Sequence, residues 1–101
     1  MSESVQLDLR IAEGLDCLGG HFPGLPILPG VVQVQWAAHF GSQYWPRLAA
    51  FRALHKLKFQ NPIVPGMTVS LDLSAAAGSL SFRYHAAGID YSSGRMLFAS
   101  S

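Results

Sequence analysis

The sequence predicts an α+β fold in which an antiparallel sheet wraps around one apolar helix. A helical pattern spans residues 30–44, segments of alternating polarity lie before and after it, and the connections between the later segments are short. Short connections favour antiparallel pairing. A helix this apolar needs cover, which a sheet with one apolar face can supply. At 101 residues, we expect residues 1–101 to form a single domain.

The first strand is predicted by a two-residue period near the start of the chain. The apolar members of that pattern are Val5, Leu7, Leu9 and Ile11. Residues 12–20 hold three glycines without a clear period, which indicates a connection. Residues 22–29 hold three prolines, each of which fixes one torsion and removes an amide donor. A stiff, irregular loop is therefore expected before the helix.

The helix is predicted over residues 30–44 as a largely buried element with one polar stripe. The stripe consists of Gln35, His39, Ser42 and Gln43. The opposite, apolar side consists of Val34, Ala37, Phe40, Gly41 and Tyr44. Pro29 and Gly30 suit the first turn, and Trp45-Pro46 suits the end. Gln33 falls on the apolar side, and the pattern gives no reason for it.

Four more strands are predicted by renewed alternation at residues 51–60, 67–74, 80–86 and 95–100. Residues 74–79 and 91–94 are the expected turns. His55 falls on the apolar side of its strand, which indicates a core or interface position. His85 falls on a polar side, which indicates a solvated surface.

Composition excludes several classes of function. The net charge is +1 and the seven basic residues form no long run, so a nucleic-acid partner is not expected. No window approaches the roughly 20 apolar residues of a membrane span, and the first residues lack the pattern of a signal peptide. Cys17 is the single cysteine, which excludes an internal disulfide and fits a cytoplasmic location. The chain is 50% hydrophobic and 13% charged, which favours a homo-oligomer.

Two motifs resemble one enzyme family. The first runs His21-Phe22-Pro23-Gly24, then Pro26-Ile27, then Pro29-Gly30-Val31, and the second runs from Lys58 to Gly66 and reads KFQNPIVPG. Together they resemble the beta-hydroxyacyl-ACP dehydratases of the FabZ/FabA type, where ACP is the acyl carrier protein. The "VVQVQWA" helix and the compact length are similar to the ApeI branch, which is linked to aryl polyene synthesis.

The resemblance implies a hotdog fold and a dimer or higher homo-oligomer with an acyl-thioester tunnel at the subunit interface. The substrate would be carried on the phosphopantetheine of ACP or on CoA, and the protein would need no cofactor or metal of its own. His21 would be catalytic, together with a helix Glu or Asp of the other subunit fourteen positions later. That position holds Gln35 here, and His39 stands at the family's Gln or His position four residues further on. Phe22, Pro29, Gly30 and His39 would line the substrate site.

Dehydration of a beta-hydroxyacyl thioester needs a base, donors for the enolate-like oxygen and an acid for the departing hydroxyl. Neutral His21 suits the base, and the Gly30 amide at the helix start suits the oxygen donor. Gln35 is an amide and cannot exchange a proton. Either His21 transfers the proton itself or His39 supplies it. The spacing of His21 and His39, without a nearby carboxylate or thiol, does not indicate a zinc site.

Two other functions remain open at this stage. Gln35 suits a thioesterase that positions water against the thioester carbonyl. The missing carboxylate also suits a non-catalytic acyl-thioester binder, or a degenerate subunit paired with an active paralogue. Finally, Arg52, Lys56 and Lys58 lie on one predicted strand face, which indicates either a solvated edge or a docking patch for an acidic ACP.

Overall fold

One helix lies across a five-stranded antiparallel sheet. The structure is a computed structural model that describes residues 3–11, 27–48 and 50–99. The elements in chain order are β1 (Glu3–Arg10), α1 (Gly30–Tyr44), β2 (Phe51–Phe59), β3 (Thr68–Ala76), β4 (Ser79–Ala86) and β5 (Ile89–Phe98). The predicted fold class is confirmed. The predicted connection at residues 12–20 and most of the proline loop lie outside the described residues.

The strands are ordered β1-β3-β4-β5-β2, and every neighbouring pair is antiparallel. Alternate side chains of the three central strands enter the core beneath α1 because successive residues of a strand point to opposite faces. These core residues include Val69, Leu71, Leu73, Leu80, Phe82, Tyr84 and Met96. The predicted alternation therefore identifies the buried face of β3 and β4 correctly.

Helix α1 begins and ends where the sequence predicts. Pro29 precedes it with a φ of −59°, and the Trp45 amide donates to the Gly41 carbonyl at 2.8 Å where the helix ends. Its buried residues are Gln33, Ala37 and Gly41. The expected burial of Tyr44 is wrong, since that residue is 48% exposed at the last turn. The helix therefore presents a narrower buried face than predicted, centred on residues four apart.

The end of α1 is fastened to β1 by a buried indole. Trp45 is 3% exposed, and its Nε1 donates to a Glu3 carboxylate oxygen at 2.7 Å. Arg47 donates to the other oxygen at 3.1 Å. The Trp45 hydrogen bond, together with the charge of Arg47, lowers the pKa of Glu3. The carboxylate thus stays ionised and joins the first strand to the helix end.

The final turn differs from the prediction. Ala86 pairs with Ile89, so the β4–β5 turn is Ala87-Gly88, and residues 91–94 lie within β5. The small residues at these positions serve hydrogen bonding and close packing instead of a turn. Ser92 is a buried hydrogen-bond donor. A Cβ on Gly94 would lie 2.9 Å from the Phe82 ring and 3.1 Å from a Leu57 methyl.

A bulge interrupts the predicted alternation of β2. Lys56 has a φ of 54°, and the pairing register shifts between His55 and Lys58. His55 pairs with Arg95 and Lys58 with Ser93. The two β5 partners are two residues apart and share a face, so the prediction of opposite faces for His55 and Lys58 is wrong. His55 is also exposed, which excludes the core position.

His85 does not lie free on the surface as predicted. Its Nε2 lies 2.8 Å from an Asp72 oxygen, and its side chain is 20% exposed. Partial burial opposes ionisation of Asp72, but hydrogen bonds from Gln6 and His85 and the charge of Arg83 outweigh it and lower the pKa of that carboxyl. The histidine is therefore one partner of a cross-strand hydrogen-bonded pair between β3 and β4.

The two hairpin turns provide a matched test of backbone strain. Both are Ala-Gly pairs with exposed alanines, but Ala87 has a φ of 51° whereas Ala77 lies outside the left-handed region. Because a left-handed alanine costs about 1 kcal/mol that asparagine largely avoids, we expect Ala87→Asn to raise the free energy of unfolding by about 0.5–1 kcal/mol. Ala77→Asn should give no gain. Urea unfolding measures both, and equal effects would contradict the assignment of strain to Ala87.

Candidate functional site

A crevice of about 360 Å³ opens at the start of α1. One wall is the segment that leads into the helix, and the other is the end of β2 with the turn that follows it. Its lining residues are Ile27, Leu28, Gly30, Gln33, Phe59, Gln60, Asn61 and Pro62. The two walls therefore come from the two sequence motifs, which the fold brings together.

Gly30 lines this crevice at a position with little room for a side chain. A Cβ there would lie 2.6 Å from Cζ of Phe59. The Pro29 carbonyl accepts from the Val32 and Gln33 amides at 3.0 and 3.1 Å, and no hydrogen bond among the described residues uses the Gly30 or Val31 amide. The first amides of a helix favour an anionic oxygen. The predicted oxygen-donor role of Gly30 fits this position and stays a prediction.

Gln33 is the functional-site residue that the sequence pattern left unexplained. It is 4% exposed, and its Nε2 donates to the Leu28 carbonyl at 3.0 Å. Its Oε1 accepts from Ser92 Oγ at 2.6 Å. Its backbone carbonyl accepts from the Tyr84 hydroxyl at 2.6 Å, and burial raises the pKa of that phenol. A polar residue on the apolar side of a helix was the signal for this network.

The opposite wall is fixed by backbone hydrogen bonds to β5. The Gln60 and Asn61 amides donate to the Tyr91 carbonyl at 2.9 and 3.2 Å. The Asn61 side chain donates to the Asp90 carbonyl at 2.9 Å. The turn after β2 therefore follows the sheet, while the Leu28 amide donates to the Ile63 carbonyl at 2.7 Å and joins the two walls.

The structure does not place Gln35 and His39 in this crevice. Both are exposed on α1, and Gln35 lies about 200° around the helix axis from Gln33. The His39 Nε2 lies 3.2 Å from the Gln43 Nε2, and the Ser42 hydroxyl donates to the His39 carbonyl at 2.7 Å. His21 and Phe22 lie outside the described residues. Of the predicted site residues, Gly30 lines the crevice and Pro29 lies directly beside it.

The predicted basic face is divided by the β2 bulge. Lys56 and Lys58 line a groove of about 510 Å³ together with Arg83 and Arg95. Arg52 lines a separate depression with His55. Arg83 is already paired with Asp90 at 2.8 Å. Arg52 therefore lines a different depression from Lys56 and Lys58.

Across residues 3–11, 27–48 and 50–99, no group of three His, Cys, Asp or Glu side chains is arranged to hold a metal ion. In the same ranges, no helix has the length and apolar character needed to cross a membrane.

The sheet and the helix packed on it define a protein of the hotdog fold, and solved structures share this fold. An uncharacterized protein from Erwinia carotovora subsp. atroseptica matches with a TM-score of 0.86 and 32% identity, covering 98% of this chain and 85% of its own. A chain of the dehydratase heterocomplex ApeI:P from Xenorhabdus doucetiae matches with a TM-score of 0.88 and 29% identity, covering 98% and 94%.

The family follows from the sequence comparison. The ApeI-like family, described as ApeI dehydratase, matches residues 1–95, and the chain therefore belongs to it. A 3-hydroxyacyl-(acyl-carrier-protein) dehydratase FabZ of Herpetosiphon aurantiacus is 31% identical over 65% of this chain and 60% of its own length. The FabZ of Koribacter versatilis is 39% identical over 54% of this chain and 40% of its own length. The chain thus spans about half the length of these curated relatives.

Two glycines of α1 allow the packing at the crevice, at Gly30, to be compared with the packing in the core, at Gly41. A Cβ on Gly30 meets the half-exposed ring of Phe59, whereas one on Gly41 overlaps the fully buried Leu80. The ring of Phe59 can move but Leu80 cannot, so we expect Gly41→Ala to lower the free energy of unfolding by about 1–3 kcal/mol.

We expect Gly30→Ala to cost less than about 1 kcal/mol, because only an exposed ring is displaced. Its signature is a changed environment of Phe59, measured from the ring resonances by NMR. Denaturant unfolding of both variants supplies the comparison, and an unmoved Phe59 ring in Gly30→Ala would contradict the close packing.

Proposed function

We propose that the chain is a dehydratase subunit that removes water from beta-hydroxyacyl thioesters carried on an acyl carrier protein or CoA. The observation that carries the proposal is the crevice at the start of α1, where the Gly30 amide meets the walls formed by the family's two motifs. The FabZ relatives act on 3-hydroxyacyl groups of an acyl carrier protein, as their names state.

The reaction assigns one step to each group. His21 takes a proton from the carbon next to the thioester carbonyl. The Gly30 amide donates a hydrogen bond to the carbonyl oxygen and stabilises the negative charge that develops there. The double bond forms as the beta carbon–oxygen bond breaks, and the leaving hydroxyl takes one proton to become water. The net products are a trans-enoyl thioester and water. Gln35 holds the hydroxyl by hydrogen bonds, and the proton arrives from His21 or His39.

A second protomer is part of this proposal because Gln35 and His39 lie away from the crevice of their own chain. Apolar side chains stay exposed around the helix start and β2, among them Val31 at 65%, Phe59 at 52% and Leu57 at 39%. Exposed apolar groups gathered in this way favour an interface. A homodimer would cover them and bring Gln35 of one copy toward the crevice of the other.

Two further points concern the substrate carrier and location. The exposed cations Lys58 and Arg95 favour an acidic carrier protein, since opposite charges steer association. The single cysteine fits the reducing cytoplasm. A substrate with a ring-bearing or polyene acyl group suits the ApeI-like family.

A second candidate function is a subunit of a heterocomplex with an active paralogue. Gln35 stands where the family's acid is expected. The chain is similar to one component of the dehydratase heterocomplex ApeI:P, and that component works in an assembly of unlike subunits. Under this candidate the partner would supply the missing acid.

Incubation of the purified protein with a beta-hydroxyacyl thioester, with products resolved by mass, tests the reaction. We expect loss of water, and we expect His21→Ala to abolish it because the base is gone. Release of free thiol would support a thioesterase instead. Binding without turnover would support the non-catalytic or heterocomplex candidate.

The replacement Gln35→Glu tests the missing acid in the same assay. Because a general acid contributes roughly 100-fold to 10,000-fold in rate, acceleration shows that the native site lacks one. An unchanged rate means that His21 or His39 already performs both proton transfers.

The assembly is tested by the solution mass of the protein. We expect Leu57→Glu to shift the protein toward monomers, because a charge would replace an exposed apolar side chain near the proposed interface. Ile89→Glu is the matched control, since Ile89 is 46% exposed but lies beside the β4–β5 turn. Equal effects of the two substitutions on the dimer would contradict this interface.

A further inference from the structure

We propose that Gln33 and Ser92 are positioning residues that fix the direction of the Gly30 amide in the crevice. The inference rests on the proposed function in one respect, that the Gly30 amide receives the thioester oxygen. It adds two residues that act through the backbone and do not themselves exchange protons.

Gln33 holds two successive carbonyls of the segment before the helix. Its backbone amide donates to the Pro29 carbonyl at 3.1 Å, and its side-chain Nε2 donates to the Leu28 carbonyl at 3.0 Å. The Pro29 carbonyl and the Gly30 amide belong to the same planar peptide group. Holding the Pro29 oxygen therefore sets the plane in which the Gly30 N–H points.

The torsions between the two held carbonyls are also restricted. Pro29 has a φ of −59°, which its ring fixes, and a ψ of 146°. Leu28 is 2% exposed, its side chain lies in the core, and its amide donates to the Ile63 carbonyl at 2.7 Å. The segment before the helix is therefore held at each peptide group from Leu28 to Gly30.

Ser92 holds Gln33 in turn. Its Oγ donates to the Gln33 Oε1 at 2.6 Å, and it is fully buried in β5. This bond leaves the Nε2 end of the amide directed at Leu28, because the two ends of an amide are chemically distinct. A continuous series of contacts thus runs from β5 through α1 to the crevice wall.

The hydrogen bonds of Gln33 to Leu28 and Ser92 could stabilise the fold without affecting the Gly30 amide, so a control is needed that removes a buried hydrogen bond elsewhere. Tyr84 supplies the comparison, since its hydroxyl donates a buried hydrogen bond to the Gln33 carbonyl and not to the Leu28 or Pro29 carbonyl. Removing its hydroxyl costs stability of a similar kind but leaves the Gln33 side-chain hydrogen bond to the Leu28 carbonyl, which Gln33→Met removes. The backbone bond to the Pro29 carbonyl remains in all three variants. Tyr84→Phe is therefore the matched control.

The experiment compares Gln33→Met, Ser92→Ala and Tyr84→Phe in the full chain. The readouts are the unfolding free energy, kcat and KM for the beta-hydroxyacyl thioester, and the Gly30 amide resonance in ¹⁵N-resolved NMR spectra. We expect Gln33→Met to lower kcat by about 10-fold to 100-fold with little change in KM, because misplaced donors affect the transition state most. Ser92→Ala should act in the same direction and more weakly, and Tyr84→Phe should leave kcat and the Gly30 resonance unchanged.

The outcomes separate this inference from the proposed function. A shifted Gly30 resonance in Gln33→Met and Ser92→Ala, but not in Tyr84→Phe, supports the positioning role even if the wild-type protein proves inactive as a dehydratase. An unmoved Gly30 resonance in Ser92→Ala, which removes a single hydroxyl, overturns it. Equal shifts in Ser92→Ala and Tyr84→Phe also overturn it, since they would mean that any loss of core stability moves the amide.

Discussion

The buried amide of Gln33 sets the constraint on which the helix, the sheet and the crevice depend. Gln33 and Ser92 are the two polar side chains buried in the described part of the chain. A buried amide without partners would cost a few kcal/mol. Here the Leu28 carbonyl and the Ser92 hydroxyl satisfy it, and no buried side-chain nitrogen or oxygen among the described residues lacks a partner. The helix can therefore occupy only the register that brings Gln33 opposite Ser92.

Much of the fold is contained in local patterns of the sequence. The alternation of Val69, Leu71 and Leu73 identifies a buried strand face because period two is a property of the backbone. The bounds of α1 follow from Pro29 and Trp45-Pro46, because proline suits the start of a helix and cannot continue one. The prediction of a turn at residues 91–94 was wrong because serine and glycine occur both in turns and at tightly packed positions within strands. Ser92 satisfies an amide of the helix and Gly94 leaves room for Phe82, and neither requirement is visible without the tertiary structure.

The site was predictable only in part, for a related reason. Gly30 was identified from its position between a proline and the first helical turn. Gln33 required knowledge of what lies across the core, on a strand nearly sixty residues later. The β2 bulge at Lys56 likewise changes which side chains share a face, and a simple alternating pattern contains no signal for the extra residue. His85 was misjudged because its partner Asp72 is set by the register of two strands.

The two edge strands of the sheet are unlike. On β1 the exposed side chains are mostly charged or polar, such as Asp8 and Arg10, whereas β2 exposes Phe51, Leu54 and Leu57. If two identical copies join at β2, they are related by a two-fold axis, and the polar β1 edge of each copy lies on the outside of the pair. Growth by end-to-end addition then stops after a single event. Under that arrangement, the difference between the two edge strands would favour a closed pair over fibres.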